Sequence, residues 1–429
     1  MKKFLCAVMA AVMLLTLSSC EKPQKTELDT SGTIDTGDNG EPLVLYTTSE
    51  HTYLAKGAKR YNAVKGKDEV VVKTFDNREK LDQALNTEVL AGKGPDLIDC
   101  NEVISYAFMP FANNDMFVDL TPYFNRAGVD LSQYNEIVMD SGIVNKKRVM
   151  VPLSYFVPAY VSTEETLKKY DIPTDFNFLT SDYSRILTDK VKADPDVVLM
   201  PQITANIEYS LNYFMDYNTN TCTFATEEFK KLLENTKEVY DITKNDFKIM
   251  TQYEGDSILA LHAGSFIFSY TMIRPTALLE EEVSKLPRDS VPRVYPAADC
   301  KHSSGSYAVI FDGVAISKNS KNKLRAFSFI EFLLSDTIQA DIGISSGFPV
   351  KKDVVEKEKE EFSKRSYALN DQTKKDILSY GEVTSALFLD NKFIHEILRP
   401  VLQPYWDGAS DIDTTVEQLQ NKAELYLNE

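Results

Sequence analysis

The spacing of hydrophobic positions changes from helical to strand-like within residues 78–101. The apolar residues of the first half recur every four positions and predict one amphipathic helix: Leu81, Leu85 and Val89. A turn rich in glycine with a proline follows at residues 92–95 and favours the end of this helix. The apolar residues 97–98 then begin a run too short for a helix, which predicts a buried strand.

The same kind of unit occurs just upstream. Residues 43–46 and 69–75 are rich in apolar side chains and predict two strands, with a helix predicted between them at residues 53–64. Strands that alternate with helices in this way predict parallel pairing through right-handed crossovers. The fold class is therefore α/β, and ligands are expected at the carboxyl ends of these strands.

Two helix starts are predicted from residue pairs at the spacing of a capping box. Asp76 and Glu79 have this spacing before the helix described first, and Thr414 and Glu417 have it before a C-terminal helix. The C-terminal helix is predicted from a single apolar stripe formed by Val416, Leu419, Ala423 and Leu427.

Polar side chains follow the first and the third predicted strands. The candidate ligand-binding residues at these two strand ends are Thr47, Ser49, Glu50, Asp99, Asn101 and Glu102. Their hydroxyl, carboxylate and amide groups can form hydrogen bonds with ligand hydroxyls. Two alternatives stay open: Ser49 or Thr52 caps the next helix, and the residues after the third strand form a solvated loop.

Residues 149–161 are apolar but contain two prolines, which predicts extended chain rather than helix. A buried extended segment between two α/β regions is expected to be a hinge strand. Tyr155 and Tyr160 in this segment, and Tyr270 at the end of a later predicted strand, are candidates for stacking on a ligand. The alternative for each ring is ordinary packing in the core.

The chain after the hinge segment is mainly helical. Helical spacing occurs at residues 207–217, 227–241 and 255–264, and strands are predicted at residues 266–270 and 307–316. The helical region is expected to form a second lobe.

The N-terminus has the features of an export signal. Two lysines precede an apolar run at residues 4–17, too short to span a bilayer, and the sequence LSSC ends at Cys20. This is similar to a bacterial lipoprotein signal, which implies removal of residues 1–19 and lipidation of Cys20; the alternative is an ordinary signal peptide or short anchor. Residues 20–41 contain few apolar side chains and predict a flexible tether.

Composition and charge restrict the partners. A chain of 429 residues with 43% hydrophobic and 26% charged residues predicts a globular protein of two domains. Its formal net charge of -17 argues against nucleic acid and anionic membrane surfaces as partners and favours a neutral or cationic ligand.

Cysteine and histidine positions indicate neither a metal site nor a cofactor. Cys100, Cys222 and Cys300 permit at most one disulfide, and buried structural thiols are the expected state. No CxxC or HExxH motif occurs, so no metal and no cofactor are expected.

Six segments of the mature chain resemble the extracellular solute-binding proteins of ATP-driven importers, and within them the sugar-binding cluster that includes maltodextrin-binding proteins. The segments are LAGKGPDLI at 90–98, DMFVDLTPYF at 115–124, MVPLSYFVPAY at 150–160, GVAISKNSKNKLRAFSFIEFLLSDTIQ at 313–339, GFPVKKDV at 347–354 and VEQLQNKAELYLNE at the C-terminus. They occur in the order found in the family.

The resemblance implies a periplasmic-binding-protein-like fold: two α/β lobes, a hinge of crossing strands, and a ligand cleft between the lobes. The first lobe would comprise residues 42–153 plus 307–345, and the second residues 154–306 plus 346–429. The implied partners are two membrane permease subunits of an ABC importer, and the protein is expected to be a monomer.

The resemblance also implies that Phe348 lies at the cleft edge and that Phe393 faces the ligand. Sugar-binding members often stack tryptophan on the ligand, whereas this chain has only Trp406, beside 22 tyrosines and 23 phenylalanines that can stack instead. The predicted function is capture of a small neutral solute, a sugar or oligosaccharide, without chemistry. The alternatives are a secreted glycoside hydrolase, with two carboxylates about 5–10 Å apart, and a surface lipoprotein without a transport role.

Overall fold

A computed structural model describes residues 28, 32–101, 108–175, 183, 185–201, 203–243, 248, 251–273, 283–287, 289–296, 306–341, 347–365, 369–378, 383–387 and 389–428. Glu102, Cys20 and Cys300 lie outside these residues, so their predicted roles stay predictions. Within the described ranges, no helix combines the length and the apolar character that a membrane crossing requires.

A mixed sheet of nine strands organises the fold. The strands of the chain are β1 (Leu43–Thr47), β2 (Val70–Thr74), β3 (Leu97–Asp99), β4 (Ile143–Val144), β5 (Lys147–Arg148), β6 (Val151–Thr163), β7 (Met215–Asp216), β8 (Thr221–Cys222), β9 (Ser269–Ile273), β10 (Pro292–Pro296), β11 (Ser306–Ile316), β12 (Phe348–Pro349) and β13 (Val383–Leu387). The main strand order is β10-β6-β11-β3-β1-β2, with β9 and β12 paired to β6 and β13 paired to β11. The predicted α/β class is confirmed.

Helices cover this sheet. They are α1 (Tyr53–Lys65), α2 (Arg78–Leu90), α3 (Phe108–Asn113), α4 (Thr121–Ala127), α5 (Glu136–Asp140), α6 (Glu164–Lys169), α7 (Asp189–Ala193), α8 (Ala205–Tyr209), α9 (Leu211–Phe214), α10 (Glu227–Thr243), α11 (Ser257–His262), α12 (Lys323–Leu333), α13 (Asp336–Gln339), α14 (Lys352–Arg365), α15 (Asp371–Leu378), α16 (Asn391–Phe393), α17 (Arg399–Trp406) and α18 (Ile412–Asn428). A 3-10 turn at Leu131–Gln133 and a π-helical turn at Ile394–Leu398 complete them.

The N-terminal half of the sheet follows the sequence pattern. β1 pairs in parallel with both β2 and β3, as the alternation of strands and helices predicts. The apolar stripe predicted for α2 is buried, so its burial against the sheet fixes the helix. Parallel pairing brings the carboxyl ends of β1 and β3 to the same edge of the sheet.

Both predicted N-cap residues are wrong: the observed cap lies one residue later in α2 and three residues earlier in the C-terminal helix. Asn77, not Asp76, accepts the backbone N–H of Lys80 and caps α2, because Asn77 has the extended backbone that a cap needs. Asp411, rather than Thr414, caps the C-terminal helix by accepting the Thr414 N–H at 2.9 Å.

The predicted hinge segment is the long strand β6. All thirteen of its residues are buried. Its first part pairs with β11 and β12, and its second part pairs with β9 and β10. β11 is shared in the same way, since its first residues pair with β13 and its last with β3. Two long strands therefore connect the two ends of the sheet.

Buried hydrophobic side chains form two clusters that meet at β6. Because successive side chains of a strand point to opposite faces, β6 supplies both clusters in alternation. Tyr155, Val157 and Ala159 belong to the cluster around β1–β3, whereas Phe156 and Tyr160 belong to the cluster that contains α17 and α18.

Two further expectations need correction. The predicted helix at residues 207–217 is divided into α8, α9 and the strand β7, because Ser210 bonds back to Asn206 through its hydroxyl and ends the first turn. The predicted flexible tether does not hold for residues 32–41, which contact the surface around α4 and α12. Cys100 and Cys222 are free thiols, so no disulfide joins them.

Candidate functional site

Polar side chains from four strands or strand ends meet at the carboxyl edge of β1 and β3. We call these residues the strand-end network: Thr47, Asp99, Asn101, Ser154 and Asp312. The Thr47 hydroxyl donates to Asp99 Oδ2 at 2.8 Å, and the Asn101 N–H donates to Asp99 Oδ1 at 3.1 Å. Asn101 Nδ2 donates to Asp312 Oδ1 at 3.2 Å, and the Ser154 hydroxyl donates to the other oxygen of Asp312.

This network contains two carboxyl groups that are almost completely buried. Asp99 is 2% exposed and Asp312 is 4% exposed. Burial in the first place, and secondly the neighbouring Asp312, raises the pKa of Asp99 to about 7 against the lowering effect of the Thr47 and Asn101 hydrogen bonds. Because their oxygens accept from protein groups, the two acids position the strand ends rather than face solvent.

A second polar group lies at the other end of the same long strands. We call it the tyrosine cluster: Tyr160, Tyr183, Tyr209, Tyr270 and Tyr307. The Tyr160 hydroxyl donates to Asn206 Oδ1 at 3.2 Å, and Asn206 Nδ2 donates to the Tyr183 hydroxyl at 2.9 Å. The hydroxyls of Tyr209 and Tyr270 are 2.8 Å apart, and the rings of Tyr209 and Tyr307 are 5.3 Å apart.

The tyrosine cluster is uncharged. Burial, and secondly the other tyrosines nearby, raises the pKa of Tyr160 and Tyr307 well above the usual value. The adjacent acid Glu208 is paired, since Arg399 donates to both of its carboxylate oxygens at 2.6 and 3.0 Å. The cluster therefore offers hydroxyl groups and ring faces without net charge.

Two buried hydroxyls of this region have no hydrogen-bond partner in the described structure. They belong to Tyr307, which is 3% exposed, and to Ser385, which is 8% exposed. Tyr307 and Ser385 are paired residues of the parallel strands β11 and β13. A buried hydroxyl without a partner costs free energy, so this pair indicates a place for a further polar group.

The strand-end network and the tyrosine cluster are about 16–20 Å apart along the shared strands. Asp312 and Tyr307 are five residues apart on β11, and Ser154 and Tyr160 are six residues apart on β6, at about 3.3 Å per residue.

The structure brings some of the predicted aromatic residues together and separates others. Tyr155 and Phe348 are in contact, with ring centroids 5.6 Å apart, and burial raises the pKa of Tyr155 to about 12. Tyr160 and Tyr270 are in contact at 5.9 Å. Tyr155 and Tyr160, both candidates for stacking on a ligand, lie on opposite faces of β6.

The remaining predicted residues differ in their access to solvent. Ser49 is half-buried and accepts the His51 N–H at 3.1 Å, while Glu50 is exposed. Thr52 caps α1, which resolves the alternative between it and Ser49. Phe393 is fully buried between Phe224 and Tyr426, so its ring is part of the core in this structure.

Sequence reasoning missed several members of both groups. Asp312 had a usable signal, because it is the one acid in the otherwise apolar strand β11. Asn206 and Tyr209 had none, since polar residues at helical spacing are typical of any solvated helix. Among the described residues, no group of three or more His, Cys, Asp and Glu side chains is placed to bind a metal ion.

Solved structures with this fold are solute-binding proteins of two lobes. The sugar-binding protein MalE from Xanthomonas citri superposes with a TM-score of 0.68 at 16% identity, covering 90% of this chain and 98% of that one. An oligogalacturonide-binding protein from Yersinia enterocolitica has a TM-score of 0.64 at 14% identity, covering 90% of this chain and 99% of that one. UgpB from Mycobacterium tuberculosis, in complex with glycerophosphocholine, has a TM-score of 0.61 at 14% identity, covering 91% of this chain and 99% of that one.

At these identities the superpositions establish the fold alone: a two-lobed α/β solute-binding architecture. The sequence profile of the bacterial extracellular solute-binding proteins matches residues 56–368, and the chain belongs to this family. A comparison with curated proteins finds no match.

Proposed function

We propose that this solute-binding protein captures a neutral oligosaccharide and delivers it to an ABC importer. The observation that carries the proposal is the uncharged tyrosine cluster, whose Tyr160 and Tyr307 lie on β6 and β11, the strands that also carry two residues of the strand-end network. Ring faces and hydroxyl groups are what a sugar requires, since a pyranose presents apolar faces and hydroxyl edges. The sugar-binding and oligogalacturonide-binding neighbours support a carbohydrate ligand; the oligogalacturonide is acidic, so the neutral class rests on the uncharged cluster.

We propose the lobe boundaries that the sequence suggests, 42–153 with 307–345 and 154–306 with 346–429. The two long strands β6 and β11 support this division, because each changes its pairing partners at mid-length. The ligand would lie between the strand ends of the first lobe and the tyrosine cluster of the second. Closure of the two lobes would then exclude water from it.

The proposed ligand contacts are the half-buried Ser49, Tyr209, Tyr270 and Phe348, together with the unpaired hydroxyl of the buried Tyr307. The fully buried Thr47, Asp99, Asn101, Tyr155 and Tyr160 hold those contacts in place. Glu50, which is exposed, and Glu102, which lies outside the described residues, stay predicted ligand contacts at the two strand ends.

Binding without hydrolysis is the proposed activity. A hydrolase needs one carboxyl group to protonate the leaving oxygen and a second to activate water or attack the sugar. Asp99 and Asp312 accept hydrogen bonds from protein donors, and Glu208 is bound by Arg399. These three acids are committed to structural contacts, which favours a binding role.

The protein is proposed to be an extracytoplasmic lipoprotein. The family is extracellular, and the N-terminal signal resembles that of lipoproteins lipidated at the residue corresponding to Cys20. Residues 1–19 would be removed, and a monomer would present its closed lobes to two permease subunits.

A neutral oligosaccharide is expected to stabilise the mature protein against heat. At a hundred times its dissociation constant, a ligand that binds only the folded state adds about 2.7 kcal/mol to the free energy of unfolding. Thermal unfolding would be measured with neutral oligosaccharides, acidic oligosaccharides, glycerophosphodiesters, amino acids and polyamines. Chromatography of the stabilising ligand after incubation would show whether it is intact.

Each alternative has its own result in this experiment. Released monosaccharide at catalytic turnover would identify a glycoside hydrolase. Stabilisation by a charged class alone would contradict the neutral-sugar proposal, and no stabilisation by any class would favour a surface lipoprotein without a transport role.

Tyr307→Phe is expected to stabilise the free protein while it weakens ligand binding. Removing a buried hydroxyl without a partner gains about 1 kcal/mol, and a ligand hydroxyl that pairs with Tyr307 would lose at least about tenfold in affinity. Urea unfolding and calorimetric titration measure the two effects. Tyr240→Phe, outside the tyrosine cluster, is the control with unchanged affinity, and unchanged affinity in Tyr307→Phe would contradict the assignment.

A further inference from the structure

Residues 32–41 cross the surface of the N-terminal part of the sheet, and we call them the strap. The Asp35 N–H donates to the Tyr123 hydroxyl at 3.1 Å, and the Asn39 N–H donates to Asn322 Oδ1 at 3.0 Å. The partner residues are distant in sequence, so these bonds hold the strap against the folded body rather than within itself. Ile34 adds an apolar contact with the first hydrophobic cluster.

Two cations at the start of α12 bind the strap by charge. Lys323 Nζ is 2.8 Å from Asp35 Oδ2, and Arg325 Nε is 3.4 Å from Asp38 Oδ1. The guanidinium of Arg325 also donates to the Glu41 carbonyl oxygen. The Lys323 hydrogen bond is the largest cause that lowers the pKa of Asp35 below its ordinary value. Contacts of both kinds therefore extend over most of the strap.

The strap lies at the edge of the sheet away from the candidate site. β1 begins directly after the strap at Leu43, and Arg325 also pairs with Glu69, which precedes β2. The candidate site begins at the opposite, carboxyl end of β1, at Thr47. The strap therefore leaves the folded body on the side facing away from the site.

We propose that the strap is a releasable clamp that fixes where the membrane tether leaves the protein and sets how far the site can move from the membrane. This rests on the proposed lipidation of Cys20. With the strap bound, the chain from Cys20 to residue 32 spans at most about 40 Å, at about 3.4 Å per residue. With the strap released, the chain from Cys20 to residue 42 spans at most about 75 Å.

The composition of the contacts makes release accessible. Asp35 and Asp38 are about half exposed, and ion pairs exposed to this extent contribute only about 0–1 kcal/mol each. Hydrogen bonds add amounts of similar size. These contacts are therefore strong enough to keep the strap bound in the free protein. They are weak enough to break when an importer binds the lobes at a distance or in an orientation for which the short tether is not long enough.

Hydrogen exchange on the full mature chain tests whether the strap is bound. The amides of Asp35 and Asn39 are expected to exchange at least about tenfold more slowly than in a peptide of residues 32–41. Tyr123→Phe combined with Lys323→Ala should reduce that protection at least about fivefold. Lys59→Ala, an exposed lysine on α1, is the matched control with unchanged protection. Exchange of the wild-type amides at the peptide rate would overturn the clamp.

Neutron reflectometry on the lipidated protein tests the tether. The wild-type protein and the double variant would each be bound to supported bilayers of phosphatidylcholine and phosphatidylglycerol. The thickness of the gap between the bilayer and the protein would then be compared between the two. The double variant is expected to occupy a layer extending up to about 1.8-fold further, the ratio of the two spans. Equal layer thickness for the wild-type protein and the double variant would overturn the proposal that the strap sets the distance of the protein from the membrane. A chain that does not stay on the bilayer would overturn the lipid anchor, and neither result bears on sugar binding.

Discussion

Asp99→Asn is expected to stabilise the protein at pH 8 and to reduce the pH dependence of its stability between pH 5 and 8, to which Glu358, with a pKa raised to about 7 by burial, also contributes. The folded-state pKa of Asp99 is about 7, above the ordinary value of 3.8. A raised carboxyl pKa means that the folded state holds the proton more tightly than the unfolded state. The full free energy of unfolding is therefore present below pH 3.8, and part of it is lost as the pH rises towards 7. At about 1.4 kcal/mol per pKa unit, the gain at pH 8 is at most about 4 kcal/mol.

The asparagine fits the same contacts. Its oxygen can accept the Asn101 N–H, and its amide can donate to the Thr47 hydroxyl, which then donates to Thr52 at 3.1 Å. Urea unfolding from pH 5 to 8 measures the slope. Asp336→Asn is the control, because Lys351 lowers the pKa of this exposed carboxyl and its titration lies below that range. A variant with the wild-type slope would refute the assignment to Asp99.

Arg148→Met is expected to destabilise the protein by about 3 kcal/mol. Arg148 is 2% exposed; one of its nitrogens donates to the Met139 carbonyl oxygen, and another donates to Asp140 Oδ1 at 2.9 Å. Methionine fills much of the space but leaves the Met139 carbonyl without its donor. Asp140 is partly exposed and regains water, which keeps the loss near the lower end for a broken buried pair.

Two further variants separate charge from geometry at this position. Arg148→Lys keeps the charge but has one compact donor group in place of the fork, so about half of the loss is expected. Arg126→Met changes an exposed arginine on the neighbouring α4 and should alter the free energy of unfolding by less than about 0.5 kcal/mol. Urea unfolding measures all three. Equal stability of Arg148→Met and Arg126→Met would contradict a structural role for the buried guanidinium.

The sequence was most informative where local spacing and burial agree. The helix α2 and the strands around it follow from the distribution of apolar residues, because one face of each element must be buried against the sheet. The cap of α2 was misplaced because Asp76 and Asn77 are adjacent residues of equal capping ability. Only the backbone conformation of Asn77 distinguishes them.

The candidate site was less predictable because its partners are distant along the chain. Thr47 and Asp99 were identified from their strand ends, but their hydrogen bond joins residues 52 positions apart. The bond from Asn101 to Asp312 joins residues 211 positions apart. No periodicity records such a pairing, which depends on the insertion of β11 beside β3.

The strap shows a related difficulty. Its composition, poor in apolar residues, predicts a flexible segment, whereas the strap contacts the folded body through backbone hydrogen bonds, ion pairs and Ile34. Its ion pairs come from Lys323 and Arg325, nearly 300 positions further along the chain. Complementary charge supplied by a distant helix is not visible in the segment itself.

The position of β11 in the sheet also determines which fragments of the protein can fold. β11 lies between β3 and β6, so a polypeptide that stops before Ser306 lacks the middle strand and leaves both neighbours with open edges. Nascent or truncated chains of that length should self-associate through these edges, and completion of the sheet has to await the arrival of late residues during biosynthesis. Excision of an N-terminal fragment for crystallography or biosensor construction is therefore expected to yield aggregates.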